Sequence, residues 1–190
     1  MKKILSLVLA LFLVFSFTAC GKKDTSSDSN SVDIEYFAKL GQIPECEFAI
    51  GDSIADIKEH YSSEEEEEAE HSDHSHDLYE IVEGEKSVLI DCGTQGYYYL
   101  KDKESNGVSY IVSYEDAYGF KLGDLLPDIK NAIEKYDFSE EIANEENAFF
   151  LFSTGGSVLK CSFGNYTLMF AFENDALCAT ALYLTEDWKN

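Results

Sequence analysis

Three of the chain's four histidines fall inside one stretch, Ser62–Asp77 (SSEEEEEAEHSDHSHD), together with eight carboxylates. His71, His74 and His76 are spaced by three and two residues and interleave with Asp73 and Asp77. Imidazole nitrogen and carboxylate oxygen are ligands that zinc accepts, and a flexible loop can wrap them around one ion. Ordering such a loop costs conformational entropy, so capture would be weak. It would also fail as the imidazoles protonate, near their ordinary pKa of about 6.5. The same composition describes a solvated acidic insertion, because like charges at this density repel. Zn2+ at His71, Asp73, His74, His76 and Asp77 is thus the one cofactor the sequence offers, beside the reading in which the stretch holds nothing.

A second set of side chains suits recognition. Strand parity puts Tyr97 with Tyr99 on one side of a strand, and Tyr110 with Tyr114 on one side of another. Tyr166 shares a side with Phe170 and Phe172, and Tyr183 matches Tyr114 through an internal repeat described below. If these sides coincide, a sheet face carries an aromatic stripe with hydroxyls, a surface that suits a partner protein. The alternative is that this face packs under helices. A mixture is also open, with Phe170 and Phe172 inside and several tyrosines outside.

Other chemistry finds little support. No Gly-x-Ser-x-Gly, P-loop or His-Glu-x-x-His pattern occurs. A mobile acidic loop is a poor support for a general base. There is no Arg to clamp a phosphate or carboxylate. No catalytic residue is assigned, and the chain is read as a non-enzyme. Fourteen lysines against 37 acidic residues give a formal charge of −23. That balance excludes the basic footprint a nucleic-acid binder needs, and it disfavours docking of the chain itself on an anionic bilayer. It favours a cationic partner. Cys46, Cys92, Cys161 and Cys178 allow three disulfide pairings, but a small buried hydrophobe describes them as well.

These groups need elements to position them. Residues 1–19 join a basic start, Lys2-Lys3, to an uncharged and mainly apolar run too short to span a bilayer. This is the pattern of a secretory leader. Thr18-Ala19 before Cys20 resembles the lipobox of bacterial lipoproteins. The resemblance implies cleavage before Cys20, lipid attachment at Cys20, and a location on the outer face of the cell membrane. Residues 20–31 then form a polar tether that cannot bury enough to order itself.

Beyond the tether the chain repeats itself. Phe48–Lys58 (FAIGDSIADIK) aligns with Phe120–Lys130 (FKLGDLLPDIK) at an offset of 72, with six of eleven positions identical. Ser87-Val88-Leu89 aligns with Ser157-Val158-Leu159 at an offset of 70, and Cys92, Tyr97 and Tyr114 align with Cys161, Tyr166 and Tyr183 at 69. Two units follow, 32–116 and 117–190. In each, Asp52 or Asp124 is placed to cap a helix N-terminus. The helix faces are Ile54, Ile57, Tyr61 and Leu126, Ile129, Ile133, Tyr136, the second one turn longer. Residues 62–77 replace the turn after the first helix with a long loop. Strands are expected at Tyr79–Val82, Ser87–Asp91, Tyr97–Lys101 and Val108–Tyr114, then at Ala148–Phe152, Ser157–Phe163, Tyr166–Phe172 and Leu177–Leu184. The expected fold is α+β: two tandem helix-plus-four-strand antiparallel meanders forming one helix-backed sheet.

That arrangement resembles the fold of the β-lactamase inhibitory protein, which has tandem helix-plus-four-strand units with a concave sheet face. The opening YFAKLGQIP (Tyr36–Pro44), followed by Phe48-Ala49-Ile50-Gly51-Asp52-Ser53-Ile54, resembles the YjgB-like family of Gram-positive surface lipoproteins, a domain of unknown function. The family's Gly-x-Pro turn after the first helix is replaced here by the acidic stretch. The His/acid segment is similar to loops of some extracytoplasmic metal-uptake proteins. These resemblances imply fold and location but no chemistry. The expectation is a membrane-anchored extracytoplasmic lipoprotein that binds a protein or cell-envelope partner without catalysis, or alternatively captures divalent zinc.

Overall fold

The structure is a computed structural model, and it describes residues 32–69, 80–83, 88–91, 97–100, 107–144 and 155–185. The chain divides between Ser31 and Val32, and all the described residues belong to the second unit. Among the described residues three helices, α1 (Ile34–Lys39), α2 (Ile54–Ala69) and α3 (Leu126–Ala132), accompany eight strands. The strands are β1 (Glu80–Glu83), β2 (Val88–Asp91), β3 (Tyr97–Leu100), β4 (Tyr110–Ser113), β5 (Phe138–Ile142), β6 (Ser157–Phe163), β7 (Tyr166–Glu173) and β8 (Ala176–Leu184). They form one antiparallel sheet in the order β1-β2-β3-β4-β8-β7-β6-β5. Two four-strand meanders therefore meet along β4 and β8. The fold is α+β.

Helix α1 has no counterpart in the expectation, although its punctuation is in the sequence. Asp33 caps it by accepting from the Tyr36 N–H at 3.1 Å. Gly41 ends it at φ 71°, with its own N–H bonded to the Ala38 carbonyl and the next N–H, of Gln42, to the Phe37 carbonyl. That paired closure is the Schellman motif, which favours glycine at this position. Space demands glycine too. A Cβ on Gly41 would lie 3.1 Å from the Tyr166 ring and 3.2 Å from the Ile50 Cβ.

The starts of α2 and α3 correct the capping assignment. Asp52 Oδ2 reaches back to accept from the Ala49 N–H at 2.7 Å, and Asp124 Oδ2 from the Lys121 N–H at 2.8 Å. Each carboxylate closes the turn before its helix. The cap of α2 is Ser53, whose Oγ accepts from the Ala55 N–H. At α3 the N–H of Leu126 bonds the Asp175 carbonyl in the β7–β8 turn, and Pro127 has no N–H to satisfy. The two turns then make matching sheet contacts. Gly51 N–H donates to the Val108 carbonyl and Val108 N–H to the Asp52 carbonyl. Gly123 N–H donates to the Leu177 carbonyl and Leu177 N–H to the Asp124 carbonyl.

Three further expectations change. Helix α2 continues to Ala69, so residues 62–69 of the expected loop are helical. Glutamate is close to alanine in helix propensity, and like-charge neighbours four apart cost only a few tenths of a kcal/mol, so Glu64–Glu68 extends the helix. Helix α3 is shorter than α2, not longer, and Ile133 and Tyr136 reach the core from the turns beyond it. The strand after α3 is β5, Phe138–Ile142; the expected strand Ala148–Phe152 lies outside the described residues. Strand β5 is an acidic edge with Ile142 75% exposed, so it lacks the apolar run by which an interior strand is recognised.

The main core lies between the helices and one sheet face. Ile34, Ala38, Ile57, Ile129 and Ile133 pack there with Ile90, Ile111, Leu159, Cys161, Leu168, Phe170, Phe172 and Leu182. Tyr118 fastens the loop after α1 to it. Buried at φ 55°, an uncommon conformation for a bulky residue, it donates its hydroxyl to the Gln42 carbonyl at 2.7 Å and its N–H to Glu45 Oε2 at 3.1 Å.

Candidate functional site: the helix-free face

Strand alternation sends the remaining sheet residues to the opposite face. Tyr110, Val112, Ala143, Val158, Met169, Ala171, Ala179, Ala181 and Tyr183 form a second buried cluster there, with no helix residue among its described members. One irregularity sets which residues arrive. Ala171 pairs with Ala179 but Phe172 pairs with Leu177, so Cys178 is an extra residue, a β-bulge. Leu177 thus joins the main core, while Cys178 packs with the second cluster and donates its thiol to the Ala171 carbonyl at 3.3 Å.

Ala171, Ala179 and Ala181 floor this face with Val112, Val158 and Met169, and Tyr110 and Tyr183 stand at one side of it. Register places Tyr99 opposite Tyr110, Tyr110 opposite Tyr183, and Tyr183 opposite Thr167. The Tyr110 and Tyr183 rings stack at 5.1 Å with 9° between planes, across the β4–β8 seam. They are only 5% and 3% exposed. Burial is the main cause that raises both hydroxyl pKa values. At Tyr110, proximity to Tyr183 and Tyr114 adds to it; at Tyr183, a hydrogen bond with Thr167 opposes it and Glu141 adds to it. Thr167 and Thr185 share a hydrogen bond at 3.0 Å, and Lys160 reaches Glu141 at 2.8 Å. Sequence reasoning passed over this polar group. Its signal was Lys160, a single cation between Leu159 and Cys161 in an apolar strand, which alternation puts on the side away from them.

The six tyrosines do not form one exposed stripe. Tyr110 and Tyr183 are buried on the helix-free face, and Tyr114 is half-buried against the same cluster. Tyr97 stands opposite Val112, and Tyr99 opposite Tyr110, so these two register positions belong to the same side of the sheet. Tyr166 goes the other way: it packs with the main core beside Gly41, because β7 alternates Tyr166, Leu168, Phe170 and Phe172 toward the helices. The expected matches do not fall on like faces: Val88 faces the main core while Val158 faces away from it, and Tyr97 stands at the register position opposite Val112 while Tyr166 packs with the main core.

His71, Asp73, His74, His76 and Asp77 lie outside the described residues, as does Cys20. Among the described residues no group of three His, Cys, Asp or Glu side chains is placed to hold a metal. His60 lies on α2, with Nε2 2.6 Å from Glu47 Oε2 and its ring edge-on to Phe48 and Tyr61. Cys161 is a buried thiol pushed up to about 12 by burial, and it faces the main core while Cys178 faces the other cluster. Among the described residues no helix is long and apolar enough to cross a membrane. No family model, curated protein or solved structure matches the chain.

Proposed function

We propose that the protein is an extracytoplasmic lipoprotein, held to the membrane by lipid on Cys20 and acting as a non-catalytic binding module. The observation that carries the reading is the change of character at Ser31. Before it lie a basic start, an apolar run, Thr18-Ala19-Cys20 and a polar tether; directly after it, Asp33 caps the first helix of the folded unit. Lipid then supplies the membrane affinity that an acidic chain lacks. The body is a duplicated unit in this reading. Support comes from the matched Gly-Asp turns, which are 72 residues apart and contact Val108 and Leu177, 69 residues apart, through the same pair of backbone hydrogen bonds. Against the YjgB-like and inhibitory-protein resemblances the proposal takes fold and location only.

The partner surface proposed lies beside the second cluster, at Tyr114 and at the register positions of Tyr97 and Tyr99, opposite Val112 and Tyr110. A cationic protein or envelope component suits the acidic chain. Two measurements test the reading. Mass spectrometry should find a lipidated N-terminal cysteine on the mature protein, and Cys20→Ala should move the chain out of the membrane fraction; an unmodified amino end overturns the anchor. Cross-linking in native cells should recover a partner that Tyr114→Ala loses without unfolding, and repeated recovery of nothing counts against a protein partner.

A second reading, zinc capture, is favoured by the alternation of imidazole and carboxylate directly after α2. It predicts micromolar zinc heat in calorimetry that is lost when His71, His74 and His76 are replaced together by Ala. Undiminished heat would place the metal elsewhere.

A further inference from the structure

We draw no further inference here: the strongest candidate, the helix-free sheet face floored by Val112, Met169, Ala171, Ala179 and Ala181, is buried in the chain, and nothing among the described residues shows what covers it.

Discussion

Thr180 separates side chains that a sheet needs from those it merely tolerates. It sits in β8 opposite Ser113 and Phe170, is fully buried, and its hydroxyl has no hydrogen-bond partner among the described residues. A buried hydroxyl left unbonded costs about 1–3 kcal/mol. Valine has nearly the same shape and no hydroxyl to desolvate. Thr180→Val should therefore raise the urea midpoint, by an amount equivalent to about 1 kcal/mol. Thr167, whose hydroxyl is bonded to Thr185, provides the contrast, and Thr167→Val should lower the midpoint. A drop with Thr180→Val would mean that its hydroxyl is bonded after all. At this scale the sequence was only half legible. That Tyr166, Leu168, Phe170 and Phe172 share a side follows from parity alone. Whether that side is also the side of Tyr110 and Tyr114 depends on register between strands distant in the chain, and the extra residue at Cys178 changes parity within β8 itself.

Elements were legible where local chemistry decides them. Strands β6, β7 and β8 coincide with expectation to within a residue at each end, because apolar runs there are bounded by turns that demand positive φ, found at Gly164, Asn174 and Asp175. Strand β5 was not legible, since Phe138-Ser139-Glu140-Glu141-Ile142 offers little apolar pattern and gains its place by pairing with β6. Helix α1 was missed because six residues are too few to show a period. Its existence depends on tertiary contact as much as on its caps, and Gly41 is the joint between the two. Gly41→Ala meets both a left-handed backbone and a tight contact with Tyr166 and Ile50. It should cost about 1–3 kcal/mol, more than the conformational term alone. Leu40→Ala, at the exposed neighbouring position, should cost much less. Equal small losses from both variants, measured by denaturant unfolding, would show that α1 is not locked to the core.

Over the whole molecule, the seam between β4 and β8 decides whether two meanders behave as one domain. Main-core residues come from both sides of it, Ile90 and Ile111 from one and Leu159, Phe170 and Leu182 from the other. On the opposite face the Tyr110–Tyr183 stack crosses it. The surface contributes little by comparison: Lys39–Glu35, Lys130–Glu140 and Lys58–Glu83 are exposed or partly exposed pairs of the kind worth at most about 1 kcal/mol each. Removing the seam's burial should thus unfold both meanders together, and its tyrosines offer the means. Burial raises the hydroxyl pKa of Tyr110 and Tyr183, and of Tyr118 at the main core, above the ordinary value of 10. In the unfolded chain they ionise near 10, so above that pH the unfolded state holds fewer protons than the folded one. Stability is then complete below about pH 10 and falls above it, by up to about 1.4 kcal/mol per pH unit for each protected tyrosine. Loss of near-ultraviolet circular dichroism should coincide with ionisation of these three hydroxyls, read by difference absorbance, in one transition. Ionisation of Tyr110 and Tyr183 near pH 10 with the dichroism unchanged would mean that the seam opens to water without unfolding, and that the two meanders are separable units.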